Sequence, residues 1–400
     1  MVELILSVND KKRLDAGFAA AFDGAAERYF SAPGRTEVSG NHTDHQRGRV
    51  LAGAVNLDTV AAVRANGTNV IRVQSKGYPL CQVRLDALEP VADEINSTPA
   101  LIRGVAARFA QLGCKVEGFD AYCESTVLPG SGLSSSAAFE VLMGTILNEL
   151  FFGGKCSAVE IAQIGQYAEN VFFGKPCGLM DQTASSVGGV VAIDFADTAH
   201  PAVERMELDL AGEGYALCIL DSGADHADLT GEYAAITDEL KAVCACFGKS
   251  VLREVPEADF LAELPRVRQA AGDRAVTRAM HVYAENRRAA AEAEALKAGD
   301  FGTYLELVRQ SGASSTQYLQ NVTPTGQTTR QELLVTIGLC QALLGDRGAA
   351  RVHGGGFGGT AQAYVPLDMV VDFKARTEAV LGKGSCHVVR IRPVGGARLA

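Results

Sequence analysis

Three short stretches of this sequence gather side chains that could do chemistry. Leu128 to Glu140, LPGSGLSSSAAFE, sets glycines at 130 and 132 ahead of three consecutive serines. Glycine removes the side chain where a backbone must approach a ligand closely, and free N–H groups at a helix start form an anion site that the helix dipole strengthens. A phosphate cradle is the chemical reading; a glycine turn followed by a serine cap is the structural one. Ala168 to Gly189, AENVFFGKPCGLMDQTASSVGG, carries Glu169 and Asp181. If a helix beginning near Ser157 continues to Glu169, that carboxylate stands about 80° from Ile161 on the helical wheel, at the edge of the apolar face. A carboxylate there is costly unless a metal ion or an arginine partners it. Asp181 follows in a glycine and methionine turn, a setting for an acid or base of tuned pKa or for an Asp that caps the next helix. The third stretch, Ser31 to Arg49, SAPGRTEVSGNHTDHQRGR, holds three arginines and two histidines beside acidic, amide and hydroxyl groups.

Two other glycine patterns fail as phosphate loops. Gly248, Lys249 and Ser250 supply the end of a P-loop, but Val243 stands where its first glycine belongs. Gly354, Gly356 and Gly359 in HGGGFGGTAQAYVP match a dinucleotide fingerprint in spacing, yet the residues that follow alternate like a strand where a helix is required. That segment reads as a tight glycine turn joining two strands.

The elements that must position these groups alternate along the chain. NVIRVQ and QVRLDAL read as early strands, and ALIRGVAARFAQLG as a helix stopped by Gly113. Another helix is expected over SSSAAFEVLMGTILNELFF, and Ser157 with Glu160 forms a capping box that opens the next. GGVVAIDF and YALCILDS look like buried strands, and a long helix around RAMHVYAENRRAAAEAEALKAGD breaks near Gly299 and Asp300. The pattern is mixed α and β. With 400 residues, the chain exceeds the length of one ordinary core. A boundary is expected between residues 190 and 210, dividing an N-terminal lobe (1–205) from a C-terminal lobe (206–400).

Charge and composition exclude some functions. A net charge of −10 argues against a nucleic-acid or anionic-membrane partner, since either favours a basic face. No segment reads as a spanning helix, and MVELILSVNDKKRLDAG lacks the basic start, apolar run and cleavage site of a signal peptide. A cytoplasmic location is the default expectation, with a monomer as the default assembly. The ten cysteines are scattered singly apart from Cys244 and Cys246, as expected of reduced thiols rather than a zinc site or disulfide scaffold.

Together SAPGRTEVSGNHTDH, LPGSGLSSSAA and RVHGGGFGG, in that order, resemble the three motifs of the small-molecule kinases named for galactokinase, homoserine kinase, mevalonate kinase and phosphomevalonate kinase. Within that superfamily the chain is most similar to the galactokinase branch, and the likeness extends to AENVFFGKPCGLMDQ, to GEY at 231–233 and to the long helix. The resemblance implies a two-lobed α+β fold and phosphorylation of a hexose anomeric hydroxyl by ATP, with galactose favoured. It implies that Gly130, Ser131, Gly132, Leu133, Ser134, Ser135 and Ser136 wrap the ATP phosphates, and that Ser136 and Glu169 hold Mg²⁺, which would give Glu169 its cation. Asp181 would act as the base and Arg35 would stabilise the transferring phosphoryl group. Asn41, His42, Thr43, Asp44, Gly178 and Tyr233 would form the sugar site.

The departures from the family pattern gather at the sugar end. Asn41 stands where galactokinases usually carry Glu, and His45 where they usually carry Tyr. After Tyr233 an asparagine and paired arginines are common in the family, whereas this chain runs Ala234, Ala235, Ile236, Thr237. An amide donates as well as accepts and carries no charge, so hydroxyl recognition could shift there. A sugar 1-kinase for another hexose, an amino sugar or a uronic acid is therefore the alternative, and a non-catalytic sugar and nucleotide sensor is the alternative from another class.

Overall fold

The computed structural model describes residues 5–127, 132–175, 177–224 and 229–400. Its architecture is α+β, built on two antiparallel-rich sheets. The larger has eight strands, ordered Ala397–Leu399, Arg28–Ser39, Arg49–Ala65, Phe119–Ser125, Val70–Ser75 and Cys81–Arg84, with Val190–Asp194 and Ala202–Met206 branching from the side. The branch arises because the 17-residue strand Arg49–Ala65 serves two partners: its second half pairs with Phe119–Ser125 and its first few residues with Val190–Asp194. The smaller sheet has four strands, ordered Cys386–Val389, Tyr215–Asp221, Thr360–Pro366 and Ala349–His353.

Local sequence accounts for most element limits. The capping box forms: Glu160 N–H donates to Ser157 Oγ at 3.3 Å, and Ser157 N–H to Glu160 Oε2 at 2.8 Å, opening the helix Ala158–Tyr167. The 26-residue helix Asp273–Ala298 ends at Gly299, whose φ of 68° is the left-handed stop that glycine adopts without a Cβ penalty. The run from Gly354 to Gly359 joins two antiparallel strands, Ala349–His353 and Thr360–Pro366, as the alternation after it requires.

Packing ties the two sheets together. Ile102, Val105 and Phe109 of the helix Thr98–Gln111 and Val141, Leu142 and Ile146 of the helix Ser135–Phe151 bury against Phe30, Val63, Ile71 and Phe119 of the larger sheet. A second apolar cluster draws Val38, Leu51 and Val55 from the larger sheet together with Leu217, Ile219 and Tyr364 from the smaller one. The expected boundary after residue 205 falls inside the strand Ala202–Met206, and Met206 joins that shared cluster. The chain also returns: Leu399 pairs with Tyr29 and Ala397 with Ser31 at the edge of the larger sheet. Among the described residues, no helix is long and apolar enough to cross a membrane.

Candidate active site

Arg35 lies on the strand Arg28–Ser39, and Asp181 lies in the first turn of the helix Met180–Val187, where the helix dipole favours a negative charge. They meet across 146 positions of sequence in a two-pronged pair, Arg35 Nε to Asp181 Oδ1 and a terminal guanidinium nitrogen to Oδ2, each at 2.7 Å. Ser134 Oγ also donates to Asp181 Oδ2, and Arg35 donates to the carbonyl of Gly132. Loss of solvent would raise the Asp181 carboxyl, but the Arg35 guanidinium and the Ser134 hydroxyl hold it below the usual range. Asp181 is thus an ionised acceptor, and it does not cap its helix, because the N-cap is Leu179.

The serine loop lies directly against this pair. Ser134 takes a left-handed φ of 55° and makes no capping bond to the helix Ser135–Phe151, so its hydroxyl is free for Asp181. Leu133 O accepts from Arg35 N–H at 2.9 Å, and an added Cβ on Gly34 would come within 2.8 Å of that same oxygen, so glycine is required for the approach. Ser135 opens the helix itself. Gly130 and Ser131, expected in the same cradle, lie outside the described residues.

Next to the cradle sits a pair of buried carboxylates. Glu169 is carried on a π-helical turn, Ala168–Phe173, which replaces the expected α-helical continuation and leaves the residue 3% exposed. Gln182 Nε2 donates to Glu169 Oε2 and to Glu140 Oε2, both at 2.9 Å. Ser136 Oγ is 3.5 Å from Glu169 Oε1, and Lys175 Nζ is 3.7 Å from it. Burial, with Glu169 nearby, pushes the Glu140 carboxyl well above its ordinary value, and Glu140 Oε1 is sealed without a hydrogen-bond partner. Ser136 Oγ and the Glu169 carboxylate are oxygen donors of the kind that suit a hard divalent cation. Among the described residues no group of three or more His, Cys, Asp or Glu forms a complete metal cage by itself.

At the far end of the strand, the loop Asn41–Arg47 is fastened to the glycine turn. Asn41 Nδ2 donates to Gly354 O at 2.7 Å, His42 Nε2 to Gly355 O at 2.9 Å, and Tyr233 Oη to Gly356 O at 3.0 Å. An added Cβ on Gly355 would meet the Tyr233 ring at 2.6 Å, and one on Gly356 would meet Asn321 O at 2.1 Å, so the contact depends on glycine. Gly178 is constrained likewise, since a Cβ there would lie 2.1 Å from Asp44 Oδ2. The histidine tautomers follow from one backbone group. Leu252 N–H donates to Gln46 Oε1 at 2.9 Å, which turns Gln46 Nε2 toward His45 Nδ1 at 3.2 Å; His45 Nε2 then donates to His42 Nδ1 at 3.3 Å. Both rings are neutral in this chain of donors, and burial, aided by His45, depresses His42 to about 3.

Residues 100–189 match the family model of the GHMP kinases N terminal domain, and residues 16–65 match the galactokinase galactose-binding signature. Over 386 residues, 95% of this chain and 96% of the relative, the sequence is 31% identical to a galactokinase of Streptomyces coelicolor. The chain belongs to the galactokinase family. Its structure is similar to that of Lactococcus lactis galactokinase complexed with galactose, with a TM-score of 0.82 at 27% identity, covering 97% of this chain and 99% of that one. A mevalonate kinase of Methanococcus jannaschii shares the fold, at a TM-score of 0.65 and 13% identity over 92% of this chain and 99% of that one. Membership of the galactokinase family makes this chain a sugar kinase, a phosphotransferase acting on an alcohol.

Within this galactokinase-family chain, Arg35 and Ser134 each bond Asp181, and Ser136 stands near Glu169. Asn41 and Thr43, expected at the sugar, are held by protein groups. Both are fully buried, with Asn41 engaged by protein at each end of its amide and Thr43 Oγ1 between two carbonyl oxygens, Arg49 O at 2.6 Å and Gly40 O at 2.9 Å. Asp44, beside Gly178, is partly exposed, as are His42 and Tyr233. Several residues of the site escaped the motif reading. Glu140 follows Ser136 by four positions on one helix and so shares its face, a spacing that could have revealed it. Glu37 follows Arg35 by two on one strand, with the same consequence. His353, whose Nδ1 lies 3.1 Å from the position of a Cβ on Gly132, carries no local signal beyond its place before the glycine turn.

Proposed function

We propose that this chain transfers the γ-phosphoryl group of ATP to the anomeric hydroxyl of galactose, giving α-D-galactose 1-phosphate and ADP. The observation that carries the mechanism is the Arg35–Asp181 pair beside the serine loop. A carboxylate offers about four lone-pair positions, and Arg35 and Ser134 occupy three, leaving one directed acceptor for a substrate hydroxyl proton. Because Asp181 is held below its usual pKa, it is a weak base at the outset. Proton transfer therefore comes late, as the sugar O–P bond forms, the bridging γ-phosphorus to oxygen bond breaks and ADP leaves. Arg35 keeps Asp181 ionised and places positive charge beside the phosphoryl group in flight.

Gly132, Leu133 and the serines 134 to 136, at the start of the helix Ser135–Phe151, offer N–H groups and a dipole to the ATP phosphates. Glu169 and Ser136 would hold Mg²⁺, with Glu140 and Gln182 fixing the Glu169 carboxylate. When bound, the ion supplies positive charge to the β- and γ-phosphates. His42, Asp44, Gly178 and Tyr233 line the sugar side. A cytoplasmic, reducing setting suits the ten cysteines, all of them free thiols. The test is ATP consumption with a panel of galactose, N-acetylgalactosamine, glucose, arabinose and galacturonate. Turnover with galactose is expected, and turnover with another member but none with galactose overturns the substrate while leaving the kinase.

A further inference from the structure

Galactokinases usually present a glutamate where this chain has Asn41, yet the carboxylate is not missing from the site. Asn41 is fully buried, and its Nδ2 donates to Glu37 Oε1 at 2.9 Å and to Gly354 O, while its Oδ1 accepts from Asn321 Nδ2 at 2.8 Å. No polar atom of Asn41 is left to meet a ligand. Glu37 is different. Alternation along the strand puts it on the same side as Arg35, and Arg35 has both Glu37 and Asp44 among its charged neighbours. Its Oε1 is held from two sides, by Asn41 and by Arg351 at 2.6 Å. Its Oε2 has no hydrogen-bond partner among the described residues. That oxygen is also absent from the partnerless atoms sealed away from solvent, such as Ser39 Oγ and Glu140 Oε1, and the side chain retains 5% exposure.

Here is a carboxylate more than nine-tenths buried, clamped through one oxygen, with the other open beside the catalytic arginine. We infer that Glu37, and not Asn41, presents the carboxylate that accepts a hydroxyl of the bound sugar, and that Asn41 and Arg351 hold it in position. The acidic function has moved four residues back along the chain, and the amide at 41 has become its support. This rests on the sugar-kinase reading above.

The test compares wild type with Glu37→Gln, Asn41→Glu and the exchange E37N/N41E, measuring galactose KM, ATP KM, kcat and Tm for each. Glu37→Gln keeps the shape and can still accept from Arg351, so the fold is expected to survive. Loss of one hydrogen bond to the sugar should raise galactose KM about 10-fold, with ATP KM within about twofold. One member of a 2-, 3-, 4- and 6-deoxygalactose series should be penalised in wild type and not penalised further in Glu37→Gln. Asn41→Glu sets a second buried carboxylate against Glu37 and should raise galactose KM, whereas the exchange variant should recover part of the loss. If Glu37→Gln does not fold, Asn41→Glu decides: a lowered galactose KM overturns the inference. An unchanged galactose KM in folded Glu37→Gln, in an enzyme whose wild type turns galactose over, overturns the inference alone. A wild type that consumes ATP with no sugar of the panel overturns the sugar-kinase reading and the inference with it.

Discussion

The two ends of the site are built in different ways. The proposed phosphoryl end is made of a few direct contacts between motif residues: Arg35 and Ser134 both bond Asp181, whose side chain keeps 30% exposure. The sugar end is a deep network. Asn41, Glu37, Arg351, Asn321, His281 and Glu285 connect the strand Arg28–Ser39 to the helix Asp273–Ala298 and the smaller sheet, and His281 Nε2 reaches Asn41 O at 3.0 Å. At the first end the polar residues proposed to meet the ligand are themselves residues of the motifs. At the second, most polar residues face one another, and position in a motif does not reveal which one is left for the sugar.

Substitutions can break or sharpen that contrast. The largest effect is expected from Asp181→Asn, which should lower kcat by about 10²- to 10⁴-fold while galactose KM changes little, read by coupled ADP release. Near-normal turnover would remove Asp181 from the role of base. Glu169→Gln should raise the Mg²⁺ concentration for half-maximal activity by about 10-fold or more, and should weaken Mg²⁺-dependent thermal stabilisation in the presence of ATP; a Mg²⁺ response identical to wild type would exclude Glu169 as a ligand. Asn41→Ala belongs to the opposite class. It strips a buried network of its centre and should cost about 1–3 kcal/mol in unfolding free energy, whereas an intact Tm with a raised galactose KM alone would make Asn41 a ligand contact after all.

A smaller effect concerns pH. His42 is depressed to about 3 against an ordinary value of 6.5, so the unfolded chain binds a proton that the folded chain refuses. Its neutral form is free of penalty above about pH 6.5, and destabilisation accumulates as pH falls from there toward 3. His42→Gln should flatten that part of a Tm-against-pH curve, and a curve parallel to wild type would show that His42 is not a source of the acid limb. Glu285, lowered to about 2 because His281, Arg288 and Arg351 overcome its burial, contributes stability that is present above the ordinary carboxylate range and lost as pH falls through 2.

What could be read from sequence follows the same division. The helix starts at Ser135 and Ser157, the long helix ending at Gly299 and the glycine turn between strands all depend on neighbours within a few residues, and periodicity and capping chemistry expose such limits. As candidates, Ser134, Ser136, Glu169 and Asp181 were legible because phosphate and metal chemistry calls for particular residue types at short spacing, and Arg35, 146 positions from Asp181, only through the resemblance to the kinase motifs. The buried placement of Asn41 was not legible, because its partners Gly354 and Asn321 lie 313 and 280 positions away. The π-helical turn at Glu169 escaped for a related reason: helical periodicity puts the carboxylate at the edge of the apolar face but cannot signal one extra residue in the turn.

The return of Ala397–Leu399 to the strand Arg28–Ser39 bears on how the molecule is made. Synthesis delivers Tyr29 to Ser31 long before their partners Ala397 to Leu399, so in the interval that edge of the larger sheet presents unpaired backbone groups on which another nascent chain could template. The strand that carries Arg35 is thus the same strand whose outer rim stays open until Ala397–Leu399 has been made.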